Sequence, residues 1–206
     1  MMQLLAFVIF SWHVIADKDS MLMGLNRMKQ DGIVIDVGAN GGKETSLALS
    51  QGRKVVALEC LSDAYVKLRS RFKHKQNVTL LNLCAGATHE LKTLHLADDS
   101  SSLIKSNVKA PAEAMKANRP HNKLRNQRET VVVVKLDDLI HEQVALIKID
   151  AQGYDGLVLR GASRLINSYH PVLIYEENVG LQNSPVSLPH EYHCVPSRED
   201  RVCYVP

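Results

Sequence analysis

Short apolar runs recur along the chain, and the stretches between them carry the spacing of amphipathic helices. Residues 33–37 (IVIDV) form the first run and stop at Gly38. Lys43 to Gln51 then reads as a helix opening just past a cluster of glycines. Residues 54–59 (KVVALE) are a second strand, followed by a helix over Asp63 to Phe72 with Ser62 or Asp63 as its N-cap. Residues 78–83 (VTLLNL) are a third strand. LKTLHL at 91–96 alternates, which predicts a half-exposed strand. VVVVK at 131–135 is another strand, with a helix starting at Asp137. ALIKID at 145–150 and PVLIY at 171–175 are two more, with one helix from Asp155 to Ser168 between them. The tail from Tyr192 to Val205 suggests a hairpin turning at residues 197–200.

Strands separated by helices predict an α/β fold with a doubly wound, mainly parallel sheet, here ending in a C-terminal antiparallel hairpin. The near-continuous apolar strands agree, because such strands are buried on both faces. With 206 residues, 45% hydrophobic and 23% charged, the composition is that of one globular domain, taken as residues 17–206. Disordered, collagen-like and disulfide-scaffold classes are excluded. A net charge of +3 is too mild to argue for nucleic acid. None of the four cysteines forms a CxxC pair, so a zinc ribbon is excluded. Cys60 and Cys84 sit beside predicted strand ends and read as buried residues. Cys194 and Cys203 flank the predicted hairpin and could pair across it in an oxidising compartment.

Two segments break the α/β rhythm. Residues 1–16 are apolar apart from Gln3, Ser11 and His13. Leu4 to Ala16 falls short of the ~20 residues that span a bilayer. It has the size of a signal-peptide core, with Val14-Ile15-Ala16 before Asp17 as a cleavage site, although no Lys or Arg precedes it. A signal or membrane anchor is therefore expected, and with it the secretory pathway or membrane association through residues 4–16. A first helix packed on a cytoplasmic domain is the alternative. The second segment, Asp98 to Thr130, carries seven Lys or Arg against four acids, with Pro111 and Pro120. It is either a solvated loop or a basic lid over an anionic or sugar-like substrate.

The chemistry concentrates in the turn Asp36-Val37-Gly38-Ala39-Asn40-Gly41-Gly42 between the first strand and the first helix. Glycines let backbone approach a ligand, and the helix start offers free N–H groups. A triphosphate loop is excluded, since Val37 stands where its first glycine should be and Glu44 follows Lys43. A dinucleotide fingerprint needs GxGxxG, and Asn40 occupies the second glycine position. S-adenosylmethionine, which has no phosphate to cradle, suits Asp36, Gly38 and Gly41. Glu59, at the end of strand two, could accept both ribose hydroxyls.

These blocks resemble the FkbM-type methyltransferases of the class I S-adenosylmethionine-dependent superfamily. IDVGANGG (35–42), VVALE (55–59), NLCAG (82–86), SSL (101–103), VKLDDLI (134–140), LIKIDAQGYDGLVLRGA (146–162) and PVLIYEE (171–177) match family segments in order. The resemblance covers roughly residues 22–177. It implies a Rossmann-like methyltransferase with S-adenosylmethionine held by Asp36, Gly38, Ala39, Asn40, Gly41, Glu59 and Ala85, the last in the segment that flanks the adenine. It also implies O-methylation of a hydroxyl on a sugar or other small metabolite, with no nucleic-acid partner. Two departures stand out. The family usually has Glu where this chain has Gln152 and Asp155, and the segment between Glu177 and Tyr192 is short.

Ligands of open parallel sheets bind beyond the carboxyl ends of the strands, which places Asp36, Glu59, Asp150 and Glu176 on one rim. Asp150 is the candidate general base, with orienting the cofactor or capping the next helix as its alternative role; Glu176 is a second catalytic candidate. Lys148 shares a face with Asp150 and reads as a neutralising partner. No HxH or HExxH spacing occurs, so no catalytic metal is expected. Two rival functions remain. One is a catalytically weak protein that keeps the cofactor pocket. The other is an RNA methyltransferase using the basic 98–130 segment, ranked lower because that segment holds no Phe, Tyr or Trp. A dehydrogenase is disfavoured by Asn40.

Overall fold

The computed structural model describes residues 19–96, 101–103, 128–176, 187–198 and 200–206. The apolar segment 1–16, and all of the 98–130 insertion except 101–103 and 128–130, lie outside the described residues.

Helix α1 (Ser20–Arg27) opens the described chain, capped by the Asp19 carboxylate, which accepts from the N–H groups of Met21 and Leu22 at 3.1 and 3.2 Å. Then follow β1 (Ile33–Val37), α2 (Lys43–Ser50), β2 (Val55–Leu58), α3 (Ser62–Phe72) and β3 (Val78–Leu81). The short β4 (Cys84–Ala85), β5 (Glu90–His95) and β6 (Arg128–Val134) come next. The chain closes with α4 (Leu136–Leu139), β7 (Val144–Ile149), α5 (Asp155–Arg160), α6 (Ser163–Tyr169), β8 (Val172–Glu176), β9 (His193–Ser197) and β10 (Asp200–Tyr204). Seven strands form the main sheet in the order β3-β2-β1-β7-β8-β10-β9. The first five are parallel, and the C-terminal hairpin β9–β10 joins antiparallel to β8. This is the expected doubly wound sheet with its antiparallel hairpin.

The strict two-residue alternation of a strand divides the core between the sheet's faces. Ile33, Ile35 and Val37 of β1 join Ile147, Ile149 and Leu173 under α4, α5 and α6. Val34, Leu146, Val172 and Ile174 point the other way, onto Met21, Met23 and Leu25 of α1 and Leu68 and Phe72 of α3. Each of these large side chains removes apolar surface worth about 1.5–3 kcal/mol from water.

Two sequence expectations are corrected. The run 131–135 is not part of the main sheet. It belongs to β6, in a separate three-stranded sheet of order β4-β6-β5. There Val131 and Val133 are buried while Val132 is 46% exposed opposite Leu91 at 73%, so the run has one open face. A run of four valines cannot reveal this, because its alternation is one of environment and not of residue type. The single helix expected over 155–168 is two helices, α5 and α6. Gly161 lies against the Gly86 carbonyl, where a Cβ would collide. A new helix then starts because the buried Asp137 carboxylate accepts from the N–H groups of Arg164 (2.8 Å) and Leu165 (3.0 Å). That side chain does for α6 what an N-cap does, from a distant part of the chain.

Candidate functional site

The carboxyl ends of β1, β2 and β7 meet at the glycine turn. Gly38 adopts φ +78°, and a Cβ there would stand 3.0 Å from the Asp150 carbonyl carbon and closer still to its oxygen. The β1 and β7 exits can therefore approach only through glycine at this position. Gly38 and Ala39 donate to the Leu58 carbonyl at 2.9 and 3.0 Å, tying the turn to β2. Asn40 stands where a dinucleotide fingerprint has its second glycine, and it takes φ +44°, the left-handed region that Asn tolerates best among residues with a side chain. Gly42, also left-handed, packs on Phe72, and Arg71 donates to the Gly41 carbonyl and, at 2.9 Å, to Ser46 Oγ. The turn is thus anchored to α3 as well as to the sheet.

Glu59 follows β2 and is 6% exposed. Its Oε2 accepts from the Asn40 N–H at 2.7 Å and its Oε1 from the Leu61 N–H at 2.8 Å. Burial pushes its carboxyl above the ordinary range, and those N–H groups oppose the shift. A carboxylate has about four acceptor directions, so Glu59 keeps capacity for a ligand beyond these backbone contacts.

These residues open on a cavity of about 150 Å³. Val37, Gly38, Asn40 and Glu59 line one part, and Asp150, Gln152 and Tyr154 another. Leu61, Ala64, Leu83, Ala85, Leu94 and Leu103 add apolar lining. Ser101 and Leu103 reach the cavity because Ser102 pairs with His95 through two backbone hydrogen bonds, 2.9 and 3.0 Å, and its hydroxyl donates to the Gln152 carbonyl at 2.9 Å. The Asp150 side chain is exposed, and its Oδ1 accepts from the Gln152 amide at 2.9 Å.

Of the residues singled out in the sequence, Gly38, Asn40, Glu59, Ala85 and Asp150 line this cavity together. Ala39, Gly41, Asp36 and Glu176 do not. Asp36 sits inside β1, 2% exposed, and its carboxylate accepts from the Thr45 hydroxyl. Burial drives its pKa up to about 6 against the Thr45 hydrogen bond. Glu176 ends β8, where its N–H donates to the buried Asp155 Oδ1 at 3.3 Å. Asp155 Oδ2 has no hydrogen-bond partner among the described residues, and burial raises this carboxyl to about 7. Lys148, expected to face Asp150, instead donates to Asp200 Oδ1 (3.3 Å) and the Ile149 carbonyl (3.1 Å), and its charge favours the ionised forms of Asp36 and Asp155. It serves a buried carboxylate cluster beneath the rim.

Sequence reasoning missed the disulfide in the cavity wall. Cys60 and Cys84, read as two separate buried residues, are bonded, with Cα atoms 4.6 Å apart, and both line the cavity. The available signal was that each follows the end of a strand, β2 and the stretch after β3, and that those strands are parallel neighbours. Cys194 and Cys203, whose pairing the sequence left open, are bonded across β9–β10. Among the described residues, no group of three His, Cys, Asp or Glu could hold a metal ion, and no helix is long and apolar enough to cross a membrane.

A family model described as the methyltransferase FkbM domain matches residues 36–186. Among solved structures, methyltransferase FkbM from Methylobacillus flagellatus KT superposes with a TM-score of 0.56 at 18% identity, over 85% of this chain and 44% of its own. This chain thus covers less than half the length of that neighbour. The precorrin-6y C5,15-methyltransferase of Geobacter metallireducens GS-15 (TM-score 0.44, 16% identity, 89% of this chain and 84% of its own) is more distant. So is a glycopeptide N-methyltransferase, MtfA, complexed with S-adenosylmethionine (0.37, 13%, 93% and 67%). Only the first carries weight, and for the fold alone. No curated protein matches this chain.

Proposed function

The chain belongs to the FkbM methyltransferase domain family, and from that premise we propose that its cavity binds S-adenosylmethionine for methyl transfer to a hydroxyl oxygen of a sugar or other small metabolite. The observation that carries the reading is the Glu59 carboxylate. It is buried at the cavity wall, oriented by the Asn40 and Leu61 N–H groups, and keeps acceptor capacity for a ligand. That is the geometry a vicinal ribose diol needs. The neighbouring Leu61, Ala64 and Leu83 offer apolar surface for a flat purine, and the Gly38 turn offers bare backbone to the amino-acid end. When bound, the cofactor supplies an electrophilic methyl on a sulfonium.

The chain's own residues do the rest. The glycine turn and Glu59 fix the donor's position, which converts alignment with an acceptor into a local, unimolecular problem. Asp150 puts an exposed carboxylate on the rim beside the Gln152 amide. From there it can hold a hydroxyl acceptor and take its proton as the new bond forms, a role typically worth ~10²–10⁴-fold. The hydrogen bond from the Gln152 amide fixes the direction in which the Asp150 carboxylate points. Asp36 and Glu176 support this machinery from outside the cavity, Asp36 through Thr45 at the start of α2 and Glu176 at the end of β8. All four cysteines are in disulfides, and such bonds persist in oxidising compartments. With the apolar stretch 4–16, this favours the secretory pathway as the site of action.

Calorimetric titration with S-adenosylmethionine, S-adenosylhomocysteine and NAD tests the reading. Micromolar binding of the two sulfur compounds, absent for NAD and lost in Glu59→Ala, is expected. A folded chain that binds neither sulfur compound, or that binds NAD as well, overturns it.

A further inference from the structure

The walls of the cavity belong to different sheets. Glu59, Cys60 and Leu61 leave the seven-stranded sheet at the end of β2, whereas Cys84 and Ala85 are β4 of the three-stranded sheet. The Asn82 side chain spans part of the gap, donating to the Glu59 carbonyl at 2.8 Å and to the Cys60 carbonyl at 3.2 Å. The covalent join is the Cys60–Cys84 disulfide, which closes a separation of 24 residues. It stands between Glu59 and Leu61 in one wall and Ala85 in the other, all of which line the cavity. The second disulfide, Cys194–Cys203, lies on the hairpin at the far edge of the main sheet, outside the cavity lining.

We propose that Cys60–Cys84 is a reducible clasp on the cavity: a dithiol reductant opens it, and the opened site holds its adenosine-containing ligand about tenfold less tightly. The proposal rests on the cofactor reading above and adds a redox condition to it. Cys60 is the half-buried member, while Cys84 is 4% exposed. A thiolate of the reductant attacks Cys60 Sγ, and the S–S bond breaks with the electron pair leaving on Cys84. The reductant's second thiol then attacks its own sulfur in the mixed disulfide and releases Cys60. Two electrons and two protons pass from the dithiol, which becomes a disulfide, to the two cysteines. Without the bond, residues 59–61 are held near β4 by non-covalent contacts alone, the Asn82 hydrogen bonds among them. The Leu61 N–H that orients Glu59 Oε1 sits one residue beyond the released sulfur. If the closed walls are then populated about one-tenth of the time, the apparent affinity falls by the same factor. Linkage makes the effect reciprocal, so bound ligand must protect this disulfide by an equal factor. The site would stay weak in a reducing compartment and become competent after oxidation.

The test uses the full chain, oxidised or treated with dithiothreitol, titrated calorimetrically with S-adenosylhomocysteine. Alkylation and mass analysis report which cysteines are free, and far-UV circular dichroism reports the fold. The expected result is about tenfold weaker binding once Cys60 and Cys84 are thiols, with the spectrum unchanged. Cys194→Ser/Cys203→Ser should show the same response, Cys60→Ser/Cys84→Ser should bind weakly with or without reductant, and S-adenosylhomocysteine should slow the reduction of Cys60–Cys84. Unchanged affinity with Cys60 and Cys84 alkylated overturns the clasp and leaves the cofactor reading standing. Affinity lost together with the spectrum also overturns it, since the bond would then hold the fold and not the site. No binding by the oxidised, folded chain overturns the cofactor reading, and the clasp with it.

Discussion

Gly38→Ala separates the two physical demands that the structure makes on its glycine turn. The first is conformational. Gly38 has φ +78°, and an L-residue there costs about 1–2 kcal/mol. The second is steric. The new Cβ meets the Asp150 carbonyl, which is backbone and cannot swing away, and forced overpacking of this kind costs about 1–3 kcal/mol. Together they predict a loss of about 3 kcal/mol, or roughly 6–12 °C in the melting midpoint for a domain of this size. Two other glycines isolate the components. Gly52 has φ +74° with no described residue within 4 Å of its would-be Cβ, so Gly52→Ala carries only the conformational part, about 1 kcal/mol. Gly41 has no positive φ, and no described residue comes within 4 Å of its would-be Cβ, so Gly41→Ala should stay within about 0.5 kcal/mol of the parent. The assay is thermal unfolding of all three variants side by side, with S-adenosylhomocysteine titrated into each at 25 °C. Binding should fall in Gly38→Ala alone, since that variant must move Asp150 away from β1. If the Gly38 and Gly41 variants melt within a degree of each other, the close approach of β1 to β7 is not as described.

Three further outcomes follow from named contacts. Burial holds the Asp155 carboxyl up at about 7, so the folded state binds its proton more tightly than the unfolded chain. That contribution is complete below pH ~4 and lost as pH rises through 7. Asp155→Asn should therefore flatten the decline in unfolding free energy across this window by a few kcal/mol, while Asp36, raised in the same sense to about 6, keeps part of it; an unchanged slope in denaturant titrations from pH 4 to 7 refutes the assignment. Cys194→Ser/Cys203→Ser removes a short cross-strand link with a sequence separation of 9, and chemical unfolding should show a loss of ~2–3 kcal/mol. Asp137→Ala strips the start of α6 of the carboxylate that accepts from Arg164 and Leu165. A cost of about 1–3 kcal/mol is expected from equilibrium unfolding, and a value near zero would mean that α6 is capped by something else.

The sequence by itself determined the strands of the main sheet and the order in which helices cover them. Apart from Asp36 and Lys148, IVIDV, VVAL and ALIKI are apolar because both faces of a central parallel strand are buried, and no ligand or partner enters that logic. It also placed Gly38, Asn40, Glu59, Ala85 and Asp150 at strand exits, where the parallel topology gathers them around one cavity. Asp36 was legible as an important acid but not as a buried one: its position on β1 sends the side chain to Thr45, and only strand register decides that. The pairing of Lys148 with Asp200 was hidden for a similar reason, since the partner comes from a hairpin 52 residues away that inserts beside β8. The tertiary structure alone decided the break between α5 and α6, because it depends on Gly161 touching Gly86 and on Asp137 reaching across to cap the second helix. The cavity's disulfide has the same origin. Periodicity reports how each element meets water, but Cys60, just past β2 of the main sheet, meets Cys84 in β4 of the other sheet only through the tertiary fold, and that contact leaves no periodic trace in the chain.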